Sequence, residues 1–387
     1  MKTTHQFYFK NAKNMSEVSS KSVDLVVTSP PYPMIEMWDE VFSLQDKTIG
    51  KALNANDGPT AFELMHRQLD SVWAEVDRVL KPSSIVCVNI GDATRTIRDN
   101  FALYSNHSRI ISFFLKQGFT VMPVILWRKQ TNAPNKFMGS GMYPPGAYVT
   151  LEHEYILIFR KGGKREFKAS EKPNRRESAY FWEERNNWFS DVWMDLKGTT
   201  QKLFDKNTRN RSGAFPFILP FRLIHMFSVR GDTVLDPFAG LGTTTFAAMS
   251  AQRNSIGYEI DENLRESIQS KMDTIVDFSN AHIRARLERH REFVEERIAA
   301  EKPLKHTNLH YGFPVITKQE KDLVFHPLVS AEQVRDDTFE VRYGSEDQPS
   351  ETDQPDPAAK KPAGKKKKPS PAKPDSGKGH KQMTLLE

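Results

Sequence analysis

The sequence is poor in cysteine and has no long apolar run, and both absences limit what the protein can be. Its 387 residues include a single cysteine, Cys87, which excludes an internal disulfide and any zinc site built from several cysteines. No run of about 18 apolar residues is present, so we expect no membrane span. The first 13 residues lack the apolar centre of a signal peptide. These features favour a protein of a reducing cytoplasm, and no motif predicts a bound metal.

Positive charge is concentrated in two segments. The formal net charge is +6, yet residues 360–387 alone carry nine lysines against two acidic residues, so the rest of the chain sums to −1. A second basic segment, residues 160–176, has a net charge of +6. Phosphate binding is its functional interpretation, and a solvated surface loop is the alternative. The candidate nucleic-acid contacts are Lys161, Lys164, Arg165, Lys168, Arg175 and Arg176.

Apolar periodicity predicts an α/β fold. Strands are predicted at 23–27, 84–90, 119–127, 154–160, 233–235 and 255–260. Helices are predicted near 60–80, 104–117 and 279–301. This alternation predicts a mostly parallel sheet with helices on both faces. Short extended runs between 314 and 343 predict a small β appendage, and the polar composition after Gly344 predicts a disordered tail.

A glycine-rich turn at 236–244 lies between a predicted strand and a predicted helix. Its glycines let the backbone pass close to a ligand, and the amides at the start of the helix point into the same space. Glu259 ends the next strand about 20 residues later, where its carboxylate can accept hydrogen bonds from ribose hydroxyls. The pattern predicts an adenosine cofactor, with a nicotinamide dinucleotide as the alternative. The candidate cofactor-binding residues are Asp236, Phe238, Gly240, Gly242, Thr243 and Glu259.

The Thr-Ser-Pro-Pro-Tyr motif at 28–32 follows the first predicted strand and has the chemistry to hold a planar ring that bears an amine. The Ser29 hydroxyl and the Pro30 carbonyl can accept hydrogen bonds from the amine, while Pro30 and Pro31 stiffen the turn. Tyr32 offers an aromatic face on which a base can stack. Such positioning would turn the amine lone pair towards an electrophilic methyl group. The candidate catalytic residues are therefore Ser29, Pro30, Pro31 and Tyr32, and a proline-rich surface turn is the alternative.

The order of these two motifs resembles that of the β-class DNA amino-methyltransferases. In that family a (Ser/Thr/Asp)-Pro-Pro-Tyr motif comes first, a target-recognition region follows, and a Phe-x-Gly-x-Gly cofactor loop comes near the end. The resemblance covers roughly residues 8–270 and implies a Rossmann-like fold that uses S-adenosylmethionine. One departure is residues 211–214, which stand where the family often carries His-Pro.

The resemblance also implies the reaction and the organisation of the chain. A Ser-Pro-Pro-Tyr core is the more usual one for N4-cytosine methylation and Asp-Pro-Pro-Tyr for N6-adenine, so Ser29 implies methyl transfer to N4 of a cytosine flipped out of duplex DNA. The expected regions are a catalytic half (1–160), a target-recognition insertion (161–210), a cofactor half (211–270), a helical and β extension (271–344) and a disordered tail (345–387). The alternatives are an N6-adenine methyltransferase, an RNA amino-methyltransferase, a nicotinamide-dependent oxidoreductase and a silent DNA-binding protein.

The expected partner is double-stranded DNA, and a cognate restriction endonuclease is a further candidate partner. The last residues, from Gln382 to Leu386, resemble short peptides that dock on bacterial sliding clamps, and such docking would tether the protein to replicating DNA. We expect a cytoplasmic, nucleoid-associated protein. Binding of S-adenosylmethionine in preference to NAD separates the methyltransferase from the oxidoreductase, and methyl transfer to DNA or RNA separates the two polymer substrates.

Overall fold

A mixed sheet of eleven strands organises residues 1–129, 139–196 and 215–344, which are the residues that this computed structural model describes. The strands of this sheet are β1 (Lys2–Phe9), β2 (Val23–Thr28), β3 (Leu80–Ile90), β6 (Thr120–Val121), β7 (Ile125–Arg128), β8 (His153–Arg160), β9 (Val192–Trp193), β10 (Thr233–Asp236), β11 (Asn254–Glu259), β14 (Leu328–Arg335) and β15 (Thr338–Tyr343). Two further pairs form small separate sheets: β4 (Ala93–Ile97) with β5 (Asn100–Tyr104), and β12 (His306–Thr307) with β13 (Pro314–Val315).

Helices cover both faces of the sheet. The α-helices are α1 (Asp39–Gln45), α2 (Lys47–Asn54), α3 (Gly58–Val79), α4 (Asn106–Lys116), α5 (Lys172–Glu177), α6 (Trp182–Trp188), α7 (Ile218–Phe227), α8 (Thr243–Ser250), α9 (Arg265–Met272) and α10 (Ile275–Ala299). Within the described ranges, no helix combines the length and the apolar character that crossing a bilayer requires.

The centre of the sheet is parallel, in the order β1-β11-β10-β2-β3, as the alternation of strands and helices predicts. Side chains of β2 alternate between two buried cores. Val26 packs in the core that includes residues of α3 and α4, whereas Leu25 and Val27 pack in the core that includes residues of α7 and α8. Because both faces are covered, all six residues of the strand are buried, and four of them are apolar. The expected Rossmann-like fold is confirmed.

The helix α3 shows how local sequence sets a boundary. Its first turn contains Pro59, whose missing N–H costs nothing there, and the Asp57 side chain accepts a hydrogen bond from the backbone N–H of Thr60 at 3.1 Å. Leu69, Val72 and the neighbouring apolar positions then face the sheet and are buried.

Two expectations about strands are wrong. The predicted strand 119–127 is divided into β6 and β7, with Pro123 between them, because proline cannot donate a ladder hydrogen bond. The predicted β appendage between 314 and 343 is divided as well: β12 and β13 pair with each other, whereas β15 pairs with β1 and extends the main sheet. Without β15, the backbone edge of β1 would be unpaired, and pairing with β15 covers it.

Neighbouring strands bring the two sequence motifs together. β2 and β10 are parallel neighbours, with Val26 opposite Leu235, so Thr28 and Asp236 leave the sheet side by side. The Thr28 hydroxyl donates a hydrogen bond to Asp236 Oδ1 at 2.6 Å across 208 positions of sequence. Asp236 Oδ2 accepts a second hydrogen bond, from the Thr244 hydroxyl at 2.7 Å. Burial raises the pKa of Asp236 to about 6, although these hydrogen bonds favour its ionised form.

This buried carboxyl makes stability depend on pH. Because the folded-state pKa lies above the ordinary value of 3.8, the contribution of Asp236 to stability is complete below that value and is lost as the pH rises through about 6. We predict that the free energy of unfolding of the wild-type chain falls by about 2 kcal/mol relative to Asp236→Asn between pH 4 and pH 7. Denaturant unfolding of both chains at the two pH values measures this difference, and a difference that does not change with pH would contradict it.

Candidate active site

A cavity of about 390 Å³ lies at the carboxyl ends of β2, β10 and β11, the edge at which open α/β sheets bind ligands. Both sequence motifs border it. All four candidate catalytic residues and five of the six candidate cofactor residues line the cavity: Ser29, Pro30, Pro31, Tyr32, Asp236, Phe238, Gly240, Thr243 and Glu259. The sixth cofactor candidate, Gly242, lies outside the lining.

The two loop glycines have different roles. Gly240 has a φ of +53°, and a Cβ placed there would meet no atom within 4 Å, so its backbone borders open space. Gly242 has a φ of +76°, and a Cβ there would lie 3.0 Å from a ring carbon of Phe7. Gly240 therefore allows a ligand to approach the loop, whereas Gly242 allows the start of α8 to pack against β1.

The carboxylate of Glu259 is held in a single orientation at the edge of the cavity. Its Oε2 accepts a hydrogen bond from the Gly240 backbone N–H at 2.8 Å, and its Oε1 accepts one from the Asp261 N–H at 2.8 Å. Burial raises the pKa of Glu259 above its ordinary value, and the two N–H donors act in the opposite direction. With the apolar walls of Phe238 and Leu264 close by, this arrangement fits an adenosine: apolar surface for the ring and an acceptor for the ribose hydroxyls.

The second half of the cavity contains a hydrogen-bonded cluster around Tyr32. The Tyr32 hydroxyl lies 3.1 Å from Ser29 Oγ, donates to Glu154 Oε2 at 3.0 Å, and accepts from Asn89 Nδ2 at 2.9 Å. Burial, followed by the negative charge of Glu154, raises the pKa of Tyr32 well above its ordinary value. Tyr32 therefore acts as a neutral hydroxyl at physiological pH.

Glu154, Asn89 and Lys129 were missing from the residues proposed on sequence grounds. Asn89 Nδ2 also donates to Glu154 Oε2, at 2.7 Å, and the ammonium of Lys129 forms an ion pair with Glu154 Oε1. Glu154 is near the start of β8, and β8 runs antiparallel to β3. The sequence contained a signal for these residues, since Asn89 lies near the end of one predicted strand and Glu154 at the start of another. Only antiparallel pairing of the two strands places both residues at the same edge of the sheet.

The same antiparallel pairing determines where the basic segment begins. β8 ends at Arg160, six residues beyond Glu154. At the rise of an extended strand, Arg160 lies roughly 20 Å from Glu154, at the opposite edge of the sheet. None of the six basic candidates lines the cavity.

Three of those six basic side chains form ion pairs. Lys161 pairs with Asp77 at 2.7 Å, Arg165 with the buried Asp232 at 2.6 Å, and Arg176 with Asp322 at 3.3 Å. The guanidinium of a fourth, Arg175, lies 4.5 Å from the ring centroid of Phe167. DNA contact by this segment stays a prediction, and these partners give several of its cations a role in packing the segment, which includes α5, against the rest of the fold.

Cys87 lies in the interior of β3 and is fully buried. Burial raises the pKa of its thiol, so the thiolate that nucleophilic catalysis requires is disfavoured. Cys87 is therefore unsuited to act as a catalytic nucleophile.

Comparison with known proteins points to the same chemistry. Residues 23–270 match the model of the N6/N4 methyltransferase family, whose description is DNA methylase. The chain is 52% identical over 345 residues to the type II methyltransferase M.MthZI of Methanothermobacter thermautotrophicus, covering 89% of this chain and 96% of that protein. It is 51% identical over 281 residues to the type II methyltransferase M.MjaI of Methanocaldococcus jannaschii, covering 70% of this chain and 91% of that protein.

A solved structure supports the fold and the cofactor. A candidate DNA modification methylase of Thermus thermophilus, crystallised with S-adenosyl-L-methionine, is 30% identical and superimposes with a TM-score of 0.54 over 69% of this chain and 92% of its own. The expected cofactor, S-adenosylmethionine, agrees with the cavity and with this neighbour. The chain belongs to the N6/N4 family of DNA methylases, the β-class amino-methyltransferases, and is an S-adenosylmethionine-dependent DNA methyltransferase.

Proposed function

We propose that this enzyme methylates the exocyclic N4 amine of a cytosine in duplex DNA, at one short recognition sequence, as a type II modification methyltransferase. The observation that carries the proposal is the single cavity that Ser29 and Tyr32 share with Gly240 and Glu259. The identity of 52% to a type II methyltransferase, over nearly the whole of that protein, supports the type II assignment. A cognate restriction endonuclease, and a nucleoid-associated location in the cytoplasm, follow from this role as further proposals.

Different residues bind the two ligands, S-adenosylmethionine and the target base. When bound, S-adenosylmethionine supplies an electrophilic methyl group on a positively charged sulfur. Glu259 accepts hydrogen bonds from the ribose hydroxyls, and Phe238 packs against the adenosine. Ser29 Oγ and the Pro30 carbonyl accept hydrogen bonds from the target amine, and the Tyr32 ring stacks on the flipped base. This positioning aligns the amine lone pair for a direct displacement that needs no covalent enzyme intermediate.

The choice of cytosine rests on Ser29. The hydroxyl is neutral and lies 3.1 Å from the Tyr32 hydroxyl, and when it donates its proton there it keeps a lone pair that can accept from an amine. The resemblance of Ser-Pro-Pro-Tyr to the motif more usual in N4-cytosine enzymes favours cytosine over adenine. N6 of adenine would meet the same acceptors, and it is therefore the second candidate target.

The predicted product is N4-methylcytosine. In a bacterial host without its own N4-cytosine methylation, expression of the chain should produce N4-methylcytosine at one short sequence, and the Ser29→Ala/Tyr32→Ala variant should produce none. Direct sequencing of native genomic DNA reads the modified base and its sequence context. N6-methyladenine would contradict the cytosine assignment while keeping the amine chemistry, and unmodified DNA would contradict both.

We predict that the Glu259 carboxylate contributes to the affinity for S-adenosylmethionine. Glu259→Gln replaces a charged acceptor with a neutral one, and loss of such a hydrogen bond should weaken S-adenosylmethionine binding by about 10- to 100-fold. Isothermal titration calorimetry measures this affinity. Glu262→Gln, an exposed carboxylate three residues away, is the matched control and should bind as the wild type does. Equal affinity of Glu259→Gln and wild type would contradict the assigned role.

Two features identified in the sequence lie wholly outside the described residues. They are the departure at 211–214 and the peptide from Gln382 to Leu386 with the tail that carries it. Docking of this peptide on a sliding clamp stays a proposal, and capture by the clamp that persists after deletion of residues 382–387 would contradict it.

A further inference from the structure

The hydrogen bonds in the base-binding half of the cavity form a continuous path from the motif serine to a carboxylate. Ser29 Oγ lies 3.1 Å from the Tyr32 hydroxyl, and that hydroxyl lies 3.0 Å from Glu154 Oε2. Both separations are within hydrogen-bond range. Ser29, Tyr32 and Glu154 all line the cavity, so the first atom of the path faces the space in which the target amine must lie.

Asn89 determines the direction in which this path conducts protons. Its amide Nδ2 can only donate, and it donates to the Tyr32 oxygen at 2.9 Å, to Glu154 Oε2 at 2.7 Å and, at the longer distance of 3.4 Å, to Ser29 Oγ. Because the Tyr32 oxygen accepts from Asn89, the Tyr32 proton points to Glu154. The Ser29 proton can then point to the Tyr32 oxygen, which leaves Ser29 Oγ with a lone pair that can accept from the amine. Every donor on the path is oriented away from the amine.

Lys129 compensates the charge at the far end of the path. The Glu154 side chain is only 12% exposed, and a carboxylate so enclosed needs a counter-charge to stay ionised. The Lys129 ammonium pairs with Glu154 Oε1 and is itself 40% exposed. The pair therefore places a carboxyl acceptor inside the site next to a side chain that reaches solvent.

We propose that Glu154 receives the proton that the target amine loses on methylation, through Tyr32 and Ser29. Forming the nitrogen–carbon bond uses the amine lone pair, and the electron pair of the broken sulfur–carbon bond stays on sulfur. The nitrogen is left with a positive charge and one proton in excess. That proton moves to Ser29 Oγ as the Ser29 proton moves to Tyr32 and the Tyr32 proton moves to Glu154.

The charges balance at the end of this sequence. The sulfur loses its positive charge, Glu154 changes from carboxylate to carboxylic acid, and Ser29 and Tyr32 end neutral as they began. Glu154 then returns its proton to solvent at the exposed side of Lys129. The proposal rests on amine methylation by this family and is independent of whether the amine belongs to cytosine or adenine, so it survives a failure of the cytosine assignment.

Glu154→Gln and Tyr32→Phe test the path with minimal change of shape. The first keeps an acceptor for Tyr32 but removes the carboxylate, and the second keeps the stacking ring but removes the hydroxyl. Each should lower the single-turnover rate of methyl transfer by about 100-fold or more. Affinities for duplex DNA and for S-adenosylmethionine, measured separately, should change by less than about threefold, because the path acts after binding.

The double variant distinguishes a shared path from two independent structural effects. If both groups act in one path, Tyr32→Phe/Glu154→Gln should be no slower than the slower single variant. The matched controls are Glu152→Gln, an exposed carboxylate on the approach to β8, and Tyr155→Phe, the neighbouring tyrosine in β8. Both controls should methylate at the wild-type rate.

Three results would overturn the proposal. A wild-type rate in either single variant would mean that water takes the proton directly. Multiplied losses in the double variant would mean that the two groups act separately. A rate loss accompanied by an equal loss of DNA affinity would assign both residues to base binding. The modified base is identified first by sequencing the product, so each outcome is read on the correct substrate.

Discussion

The parallel pairing of β2 with β10 is the constraint on which the active site depends. It places two loops from distant parts of the chain at one edge of the sheet, and the Thr28–Asp236 hydrogen bond holds them together at 2.6 Å. Asp236 is buried for this purpose and also accepts from Thr244 at the start of α8, so the same carboxyl anchors the cofactor loop and its helix. Burial raises the pKa of Asp236, so ionisation of this carboxyl lowers the stability of the fold at neutral pH. In return, its hydrogen bonds fix the geometry between the two ligands.

A second constraint is the change from parallel to antiparallel pairing at β3. It brings the start of β8, with Glu154, to the edge where β2 and β3 end, and it carries Arg160 and the basic segment to the other edge. The base-binding half of the cavity therefore combines a motif loop with residues from two strands that the motif does not include. Asn89 and Glu154 lie on paired strands and give Tyr32 and Ser29 a rigid support, because the backbone ladder holds the two strands in register.

Much of this structure is predictable from the sequence, and the failures share one cause. β2, β3 and β10 are predicted because each contains a short apolar run that ends at a turn. The two motifs are recognisable because proline and glycine restrict or free the backbone at defined positions. Glu154 and Asn89 are missed because their meeting depends on strand direction, which local patterns do not encode. The same holds for β15, whose partner β1 lies more than 300 residues earlier.

The most direct test of the account is a crystal structure of the enzyme with S-adenosylhomocysteine and a duplex that carries the recognition sequence. The account predicts that one cavity holds both ligands, with the ribose hydroxyls on Glu259 and the target amine within hydrogen-bond distance of Ser29 Oγ and the Pro30 carbonyl. It also predicts that the Ser29, Tyr32 and Glu154 path is intact beside the flipped base. A flipped base whose amine lies away from Ser29, or a cofactor bound apart from the Gly240 loop, would contradict the account.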